Sequence, residues 1–221
     1  MLSKEQKLFF LRQALDLARK SHPQPTNYRV GAVLVSEARD QNSSPAVLST
    51  GYTLELPGNT HAEECAIVKL AASHSVSEMS LHEVLTAEMN VTMFTTLEPC
   101  ANRLSGKLPC VDRVSYTRGL PHGNDRWPKG PAGIRNVVFG AKEPDTFVTN
   151  SASCRHMTEA EIAWEYMPDY ENEILNVATE GHKNSAKQET NIDDIDEDER
   201  KRQEQIPRNP KKRMMEVPFQ P

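Results

Sequence analysis

The segment TTLEPCANRLSGKLPC, residues 95–110, carries two of the chain's four cysteines, and each directly follows a proline. Three explanations compete: a disulfide, two unrelated buried thiols, or two ligands of one metal. Four cysteines in 221 residues are too sparse for a scaffold built on disulfides. The disulfide is therefore the weakest explanation, and the neighbouring sequence has to decide between the other two.

A second segment, NTHAEECA, places a histidine and a glutamate at the start of a predicted helix. Thr60 and Glu63 fit a T-x-x-E capping box, which would make His61 an ordinary helix-start residue. The combination with the cysteines favours a metal, because one imidazole and two thiolates supply three of zinc's four tetrahedral positions and leave one open for water. His61, Cys100 and Cys110 are therefore the candidate zinc ligands.

Strands and helices alternate along residues 1–180. Ser3 and Gln6 predict a capping box for a first helix. The hydrophobic pattern predicts strands at YRVGAVLVS (28–36), PAVLSTGYT (45–53), NVTMFTTLE (90–98) and IRNVVFGAKE (134–143). It predicts further helices at THAEECAIVKLAAS (60–73), CVDRVSYTRG (110–119) and TEAEIAWEYMPDYENEILNVATE (158–180), the last with a break at Pro168. This alternation predicts an α/β layered fold with some parallel pairing.

Composition divides the chain near residue 180. Residues 181–221 are polar and charge-dense, so we predict a disordered charged tail after a folded domain at 1–180. The formal net charge of −5 argues against a non-specific nucleic-acid binder. The first residues lack the apolar core of a secretory signal, and no stretch is long enough to span a membrane. We therefore expect a cytoplasmic protein without a membrane partner, with nuclear import through the tail's PKKR as an alternative.

The order H-A-E, strand, E-P-C resembles the zinc deaminase signature H-x-E…P-C-x-x-C. The second cysteine, however, follows nine intervening residues, ANRLSGKLP, instead of two. A long loop that ends in G-K-x-P-C is similar to that of the pyrimidine deaminases of riboflavin biosynthesis, of the fungal or yeast type. The resemblance runs from Asn27 through VGAVLV, ELPGNTHAEECAI and TTLEPC…LSGKLPCVDR, and weakens after VVFGAKEPD.

This resemblance implies a cytidine deaminase-like α/β/α sandwich with a mixed sheet of about five strands. It implies hydrolytic deamination of 2,5-diamino-6-ribitylamino-4(3H)-pyrimidinone 5′-phosphate, with Zn²⁺ held by the three candidate ligands and Glu63 carrying the proton. Asn27 would contact the sugar chain, and the backbone near Ala62 would hold the base. Lys107 and Arg103 would bind the phosphate. The partners implied are this small molecule and a second copy of the chain in a homodimer, with no nucleic acid.

Two other functions remain open at this point: a deaminase of the same fold that acts on nucleic acid, such as a subunit of a tRNA-adenosine deaminase, and a non-catalytic zinc protein. The acidic charge and the long cysteine gap count against the first. The non-ligand glutamate counts against the second, because structural zinc sites normally close with four protein ligands.

Three further features have weaker predictions. Cys65 lies one helical turn after His61 and is predicted to be a small core residue. Cys154 is predicted to be a surface or loop thiol. The insertion GLPHGNDRWPKGPAG, residues 119–133, is predicted to be a lid, a part of a neighbouring subunit's pocket, or a solvated loop.

Overall fold

The computed structural model describes residues 2–37, 44–103, 105–144 and 152–185. The helices are α1 (Lys4–Ala18), α2 (Ala62–Ser73), α3 (Cys110–Tyr116), α4 (Ser153–Glu159), α5 (Glu171–Ala178) and α6 (Glu180–Ser185). The strands are β1 (Gly31–Ser36), β2 (Ala46–Tyr52), β3 (Val91–Leu97), β4 (Ile134–Ala141) and β5 (Ala163–Tyr166). Short 3-10 turns occupy Glu78–Glu83, Ala87–Met89 and Pro168–Tyr170.

The five strands form one mixed sheet in the order β2-β1-β3-β4-β5. β1 pairs antiparallel with both β2 and β3, whereas β3, β4 and β5 run parallel to one another. The carboxyl ends of β3 and β4 therefore reach the same edge of the sheet, which is where ligand sites form in open α/β sheets. Cys100 follows the end of β3 at this edge.

The two faces of the sheet are covered by different helices, and β1 shows how the sequence achieves this. Ala32 and Leu34 lie in the core cluster that contains residues of α2 and α3. Val33 and Val35 lie in the cluster with Phe10 and other residues of α1. Such alternation of buried side chains is expected of a strand that is covered on both faces. The predicted three-layer α/β/α sandwich is confirmed.

Two glycines bring the helices close to the sheet. A Cβ atom on Gly31 would lie 1.9 Å from the carbonyl oxygen of Ala14 in α1, and one on Gly51 would lie 2.1 Å from that of Ala62 in α2. Neither distance is compatible with a side chain, so the helix backbones contact strand backbone directly at these points. The separation between α2 and the strand below it is therefore determined by Gly51.

The segment predicted as one helix from residue 158 is in fact divided by a strand. α4 ends at Glu159, Glu161 adopts a left-handed φ of 56°, and residues 163–166 pair with β4 as strand β5. The rings of Trp164 and Tyr166 stack near Phe139 of β4. The helical prediction for this segment was wrong because pairing with β4 outweighs the helix propensity of its alanines and glutamates. The break at Pro168 is present, as a 3-10 turn before α5.

The folded unit continues past the predicted boundary at residue 180. The compact unit comprises Met1–Asn184, and α6 crosses the boundary. Residues 186–221, which hold most of the predicted tail and its PKKR, lie outside the described residues. Among the described residues, none of the helices is both long and apolar enough to cross a bilayer.

Two truncations should separate the folded unit from the predicted tail. Removal of residues 186–221 should leave the melting temperature unchanged, because a segment of this composition contributes few buried contacts. Truncation after Gly181 removes His182, whose ring stacks on Tyr28, and should lower the melting temperature by about 2–4 °C, corresponding to roughly 1 kcal/mol in a domain of this size. Calorimetry of both proteins checks the difference. A large decrease in melting temperature on removal of residues 186–221 would contradict the predicted disorder of this segment.

Candidate active site

The candidate zinc ligands come from three elements that meet at the carboxyl end of β3. His61 is the residue directly before α2, Cys100 lies three residues after β3, and Cys110 is the first residue of α3. All three ligand atoms lie within 4.8 Å of one another. Two helix starts thus point at one place, where their positive dipole ends favour thiolates.

The distances between these atoms fit tetrahedral zinc. His61 Nδ1 lies 3.6 Å from Cys100 Sγ and 3.4 Å from Cys110 Sγ. Zinc bonds of about 2.3 Å to sulfur and about 2.0–2.1 Å to nitrogen, at tetrahedral angles, separate nitrogen and sulfur ligands by about 3.5 Å. The residues present therefore fit a zinc ion with three protein ligands and an open fourth position.

The two thiols influence each other's protonation. The Cys110 thiol donates a hydrogen bond to the Cys100 sulfur, and the nearby His61 assists in lowering the pKa of Cys100 to about 4 despite its burial. The same hydrogen bond, together with burial, raises the pKa of Cys110. Because zinc binds thiolates, both cysteines would have to be deprotonated to hold the metal.

Glu63 lies in the first turn of α2 and is buried, with an exposed fraction of 3%. Burial raises the pKa of its carboxyl group, and the nearby Cys100 charge adds to this effect, whereas His61 opposes it. A carboxyl group with a raised pKa can both accept and return a proton near neutral pH. Glu63 also lines the cavity described below.

The capping box predicted from Thr60 and Glu63 is not formed. The helix begins one residue later, with His61 as N-cap, and its backbone N–H donates to Glu64 Oε2 at 3.3 Å. Glu63 is therefore not used in capping, and its carboxyl group is free to face the cavity. The sequence allowed either register, because Glu63 and Glu64 are adjacent.

Glu64 also holds the loop between the two cysteines. Its carboxylate accepts a hydrogen bond from Arg103 at 2.7 Å and one from Arg113 of α3 at 3.2 Å. Burial alone would raise the pKa of Glu64, but these two guanidinium groups lower it. A turn at Gly106, with φ of +74°, then returns the chain toward α3. The long loop can thus bring Cys110 back to the metal.

A cavity of about 350 Å³ opens beside the candidate ligands. One wall comes from the loop before β1, a second from the loop before α2 and the loop between the cysteines, and a third from the ends of β3 and β4. The lining residues are Pro25, Thr26, Asn27, Tyr28, Val30, Thr53, Asn59, His61, Glu63, Leu97, Glu98, Cys100, Asn102, Arg103, Ser105 and Glu143. A cavity of this size suits a small molecule with a single ring.

The residues predicted to bind substrate occupy different positions around this cavity. Asn27 and Arg103 line it. Ala62 is buried as the first residue of α2, and Lys107 is exposed, with its Nζ donating to the Asn59 carbonyl at 3.2 Å. Among the described residues, the cavity wall includes neither Ala62 nor Lys107.

Two carboxylates in the wall were missed by the sequence analysis. Glu98 and Glu143 follow the ends of β3 and β4, at the edge where the carboxyl ends of parallel strands meet. Burial raises the pKa of Glu143 to about 7, with contributions from the charges of Cys100 and Glu63. The available signal was a glutamate as the last residue of each of two predicted strands.

The weaker predictions have mixed outcomes. Cys65 is fully buried, so its prediction as a core residue is confirmed. The prediction for Cys154 was wrong, because it lies half-buried in α4 and its thiol donates to Glu98 Oε1 at 3.3 Å; burial beside this carboxylate raises its pKa to about 12. In the insertion, Trp127 is buried and its indole N–H donates to Asp112 at 2.7 Å. The insertion is thus anchored to the core, and within the described residues it does not line the cavity.

Residues 4–118, more than half of the chain, match the model of the cytidine and deoxycytidylate deaminase zinc-binding region. The chain belongs to this family. The zinc-binding deaminase domain predicted from the H-A-E and P-C motifs is thereby confirmed. The five-stranded sheet of this deaminase and the position of its three candidate ligands agree with that membership.

The deaminase is similar to fungal proteins of riboflavin biosynthesis. The Aspergillus oryzae Rib2 deaminase, a C-terminal deletion mutant at pH 4.6, is 45% identical over 81% of this chain and 94% of that chain, with a TM-score of 0.69. The same deletion mutant in complex with DARIPP at pH 6.5 is 44% identical over 81% of this chain and 93% of that chain, with a TM-score of 0.68. The predicted resemblance to the riboflavin-pathway pyrimidine deaminases is confirmed.

A curated relative is the diaminohydroxyphosphoribosylamino-pyrimidine deaminase of Schizosaccharomyces pombe. It is 33% identical to this deaminase over 139 residues, which are 63% of this chain and 27% of that protein. The chain therefore spans about a quarter of the length of this relative.

Proposed function

We propose that this chain deaminates 2,5-diamino-6-ribitylamino-4(3H)-pyrimidinone 5′-phosphate to the corresponding 5-amino-6-ribitylamino-uracil phosphate and ammonia. The observation that carries the proposal is the similarity to a Rib2 deaminase solved in complex with DARIPP, at 44% identity over 81% of this chain. The cavity beside the candidate zinc ligands has the size for one pyrimidine ring with a side chain. Its mixture of carboxylates, amides and one arginine suits a ring that carries several amino groups and an anionic side chain.

His61, Cys100 and Cys110 would hold zinc in this reaction. When bound, zinc acts as a Lewis acid that makes water nucleophilic near neutral pH. His61, Glu63 and Cys100 all line the cavity, so a coordination position left open by the three ligands would lie beside the substrate. A site with an open position and a buried, non-ligand carboxylate supports catalysis rather than a structural role.

Glu63 would carry the proton in both halves of the reaction. It takes a proton from the attacking water while the oxygen adds to the ring carbon that bears the exocyclic amine, and passes this proton to the adjacent ring nitrogen. It then transfers the second proton of that water to the amine, and the carbon–nitrogen bond breaks to release ammonia. The burial that raises the pKa of Glu63 favours this two-way transfer.

Asn27 would contact the sugar chain, because its side chain lies in the cavity wall and is oriented by two hydrogen bonds. Its Oδ1 accepts from the Thr26 hydroxyl at 2.9 Å, and its Nδ2 donates to Asn59 Oδ1 at 2.8 Å. The base would lie near the backbone at Ala62 and Cys100, next to the metal. A ribityl chain extending from the ring would then direct its phosphate toward the loop between the cysteines.

Lys107 and Arg103 would bind that phosphate. The two side chains converge on the carbonyl oxygen of Asn59, at 3.2 Å and 2.7 Å respectively. The charge of Arg103 is compensated by Glu64, whereas among the described residues no ion pair joins Lys107 to an acidic group. Lys107 therefore supplies the uncompensated positive charge at this side of the cavity.

Replacing Lys107 by alanine should raise KM for the phosphorylated substrate by about 10- to 150-fold, which corresponds to roughly 1.5–3 kcal/mol for a charge-assisted contact. The dephosphorylated analogue, a poor substrate of the wild type, should be affected little. Steady-state kinetics with both compounds checks this. Lys129→Ala, in the insertion, is the matched control and should change neither value. An equal rise in KM for both compounds would contradict phosphate binding by Lys107. A rise in KM for the phosphorylated compound alone in Lys129→Ala would mean that the insertion binds the phosphate.

We further propose that the deaminase acts as a cytoplasmic homodimer on this small molecule and does not bind nucleic acid. The formal net charge of −5 supports the absence of non-specific binding to tRNA. Light scattering of the purified protein tests the dimer.

The substrate is tested by ammonia release from the ribityl compound and, separately, from its ribosyl counterpart. We expect turnover of the ribityl compound by the zinc-loaded protein. Turnover of neither compound, with about one zinc per chain bound, would refute the proposed substrate while leaving the family membership unchanged.

A further inference from the structure

The C-terminal helix α6 contacts the wall of the cavity that carries Asn27. His182 lies in α6, and its Nε2 is 3.2 Å from the Asn27 carbonyl oxygen. Since a carbonyl oxygen can only accept, the contact is a hydrogen bond when His182 carries its proton on Nε2. The imidazole also stacks on the ring of Tyr28, with centroids 4.7 Å apart and planes 7° from parallel. Asn27 and Tyr28 are both lining residues of the cavity.

Other contacts join the same two segments. A Cβ atom on Gly181 would lie 2.4 Å from the backbone nitrogen of Gln24, so the two backbones are in direct contact. The Arg29 guanidinium pairs with Glu180 and donates to the Ser21 carbonyl at 2.7 Å. The wall formed by residues 25–28, together with the preceding Gln24, is thus held from outside the cavity by residues 180–182.

We propose that His182 is a positioning residue, which sets the place of Asn27 and Tyr28 in the substrate-binding wall. This inference rests on the proposed function, because it assumes that Asn27 contacts the sugar chain. His182 holds the Asn27 backbone, while Thr26 and Asn59 orient the Asn27 side chain. Together these three contacts hold the amide group in one orientation toward a ligand.

His182 acts on substrate binding and leaves the metal chemistry unaffected. The candidate zinc ligands and Glu63 belong to α2, α3 and the end of β3, and the contacts of His182 are with the loop before β1. Loss of its hydrogen bond should therefore move KM and leave kcat and zinc content unchanged. A merely structural role would lower the amount of folded enzyme, and so the apparent kcat, without changing KM.

The test uses two substitutions in the full chain. His182→Phe keeps an aromatic ring for Tyr28 and removes the hydrogen bond to Asn27; His182→Ala removes both. We expect KM for the phosphorylated ribityl substrate to rise about fivefold in the Phe variant, the value of one neutral hydrogen bond, and further in the Ala variant. His74→Ala, at the exposed end of α2, is the matched histidine control and should behave as the wild type.

Hydrogen–deuterium exchange of the peptide that covers residues 22–30 gives a readout that needs no activity. Exchange should become faster in both His182 variants and stay unchanged in peptides from α2 and α3. Unchanged KM and unchanged exchange in both variants would overturn the proposal, and so would loss of zinc or of kcat with KM unaltered. If the wild type turns over neither pyrimidine, the proposed function fails, while faster exchange at 22–30 would still support the positioning of this wall by His182.

Discussion

Glu63→Gln is expected to lower kcat by a factor of roughly 10² to 10⁴, the usual contribution of a positioned proton carrier. The amide has nearly the size of the carboxyl group but cannot shuttle a proton. Zinc content and the melting temperature should be retained, because Glu63 is outside the set of three metal-binding residues and the helix start is capped through Glu64. Ammonia release and zinc analysis on the same sample measure both quantities.

The matched control for this substitution is Glu83→Gln, at an exposed position after α2. It should turn over as the wild type does. Wild-type turnover in Glu63→Gln would refute the proposed role of Glu63. A collapse of the fold in that variant would instead show that Glu63 is mainly needed for the stability of α2.

Cys110→Ala is expected to lower the affinity for zinc by more than about a hundredfold. This exceeds the loss that is usual when a residue that only contacts a metal ligand is changed. The wild type should carry about one zinc per chain, since one imidazole and two thiolates converge. The variant should be largely metal-free after dialysis against a weak chelator and should lose solubility. Elemental analysis of the dialysed proteins checks the expectation.

Cys65→Ala is the matched control, because Cys65 is also a buried cysteine and lies in α2, four residues after the N-cap residue His61. It should keep its zinc, with at most a small loss of stability from one missing core atom. Full zinc retention in Cys110→Ala would contradict the return of the long loop to the metal. Zinc loss in Cys65→Ala would mean that the buried thiol supports the site.

The proximity of the three candidate ligands in the fold could be predicted because their residue types and their order along the chain restrict the chemistry. An imidazole at a helix start and two cysteines, each after a proline, have few other uses in a sparse-cysteine chain. The first four strands were equally predictable, because apolar strand-forming runs end at turn residues. The sequence thus indicated the metal site and the strand that leads to it.

The wrong predictions concern segments whose local structure is determined by residues that are close in space but distant in the chain. Residues 163–166 form an edge strand because β4 offers them a partner, although Ala163 and Glu165 are common in helices. Glu64 rather than Glu63 caps α2 because Arg103 and Arg113 gather around it. Neither outcome could be read from local propensity, since each depends on residues distant in the chain.

The direct contact between Gly51 and α2 also determines how accurately the metal site can be assembled. His61 moves with the helix, whereas Cys100 is attached to the sheet, so their separation depends on the thickness of the layer between helix and strand. A methyl group at residue 51 would widen that layer and separate nitrogen from sulfur, with every metal-binding side chain still present. Substitutions at residue 51 would therefore be limited by the distance that His61 and Cys100 must keep to bind one zinc ion. Glycine at this position allows that distance because it has no side chain.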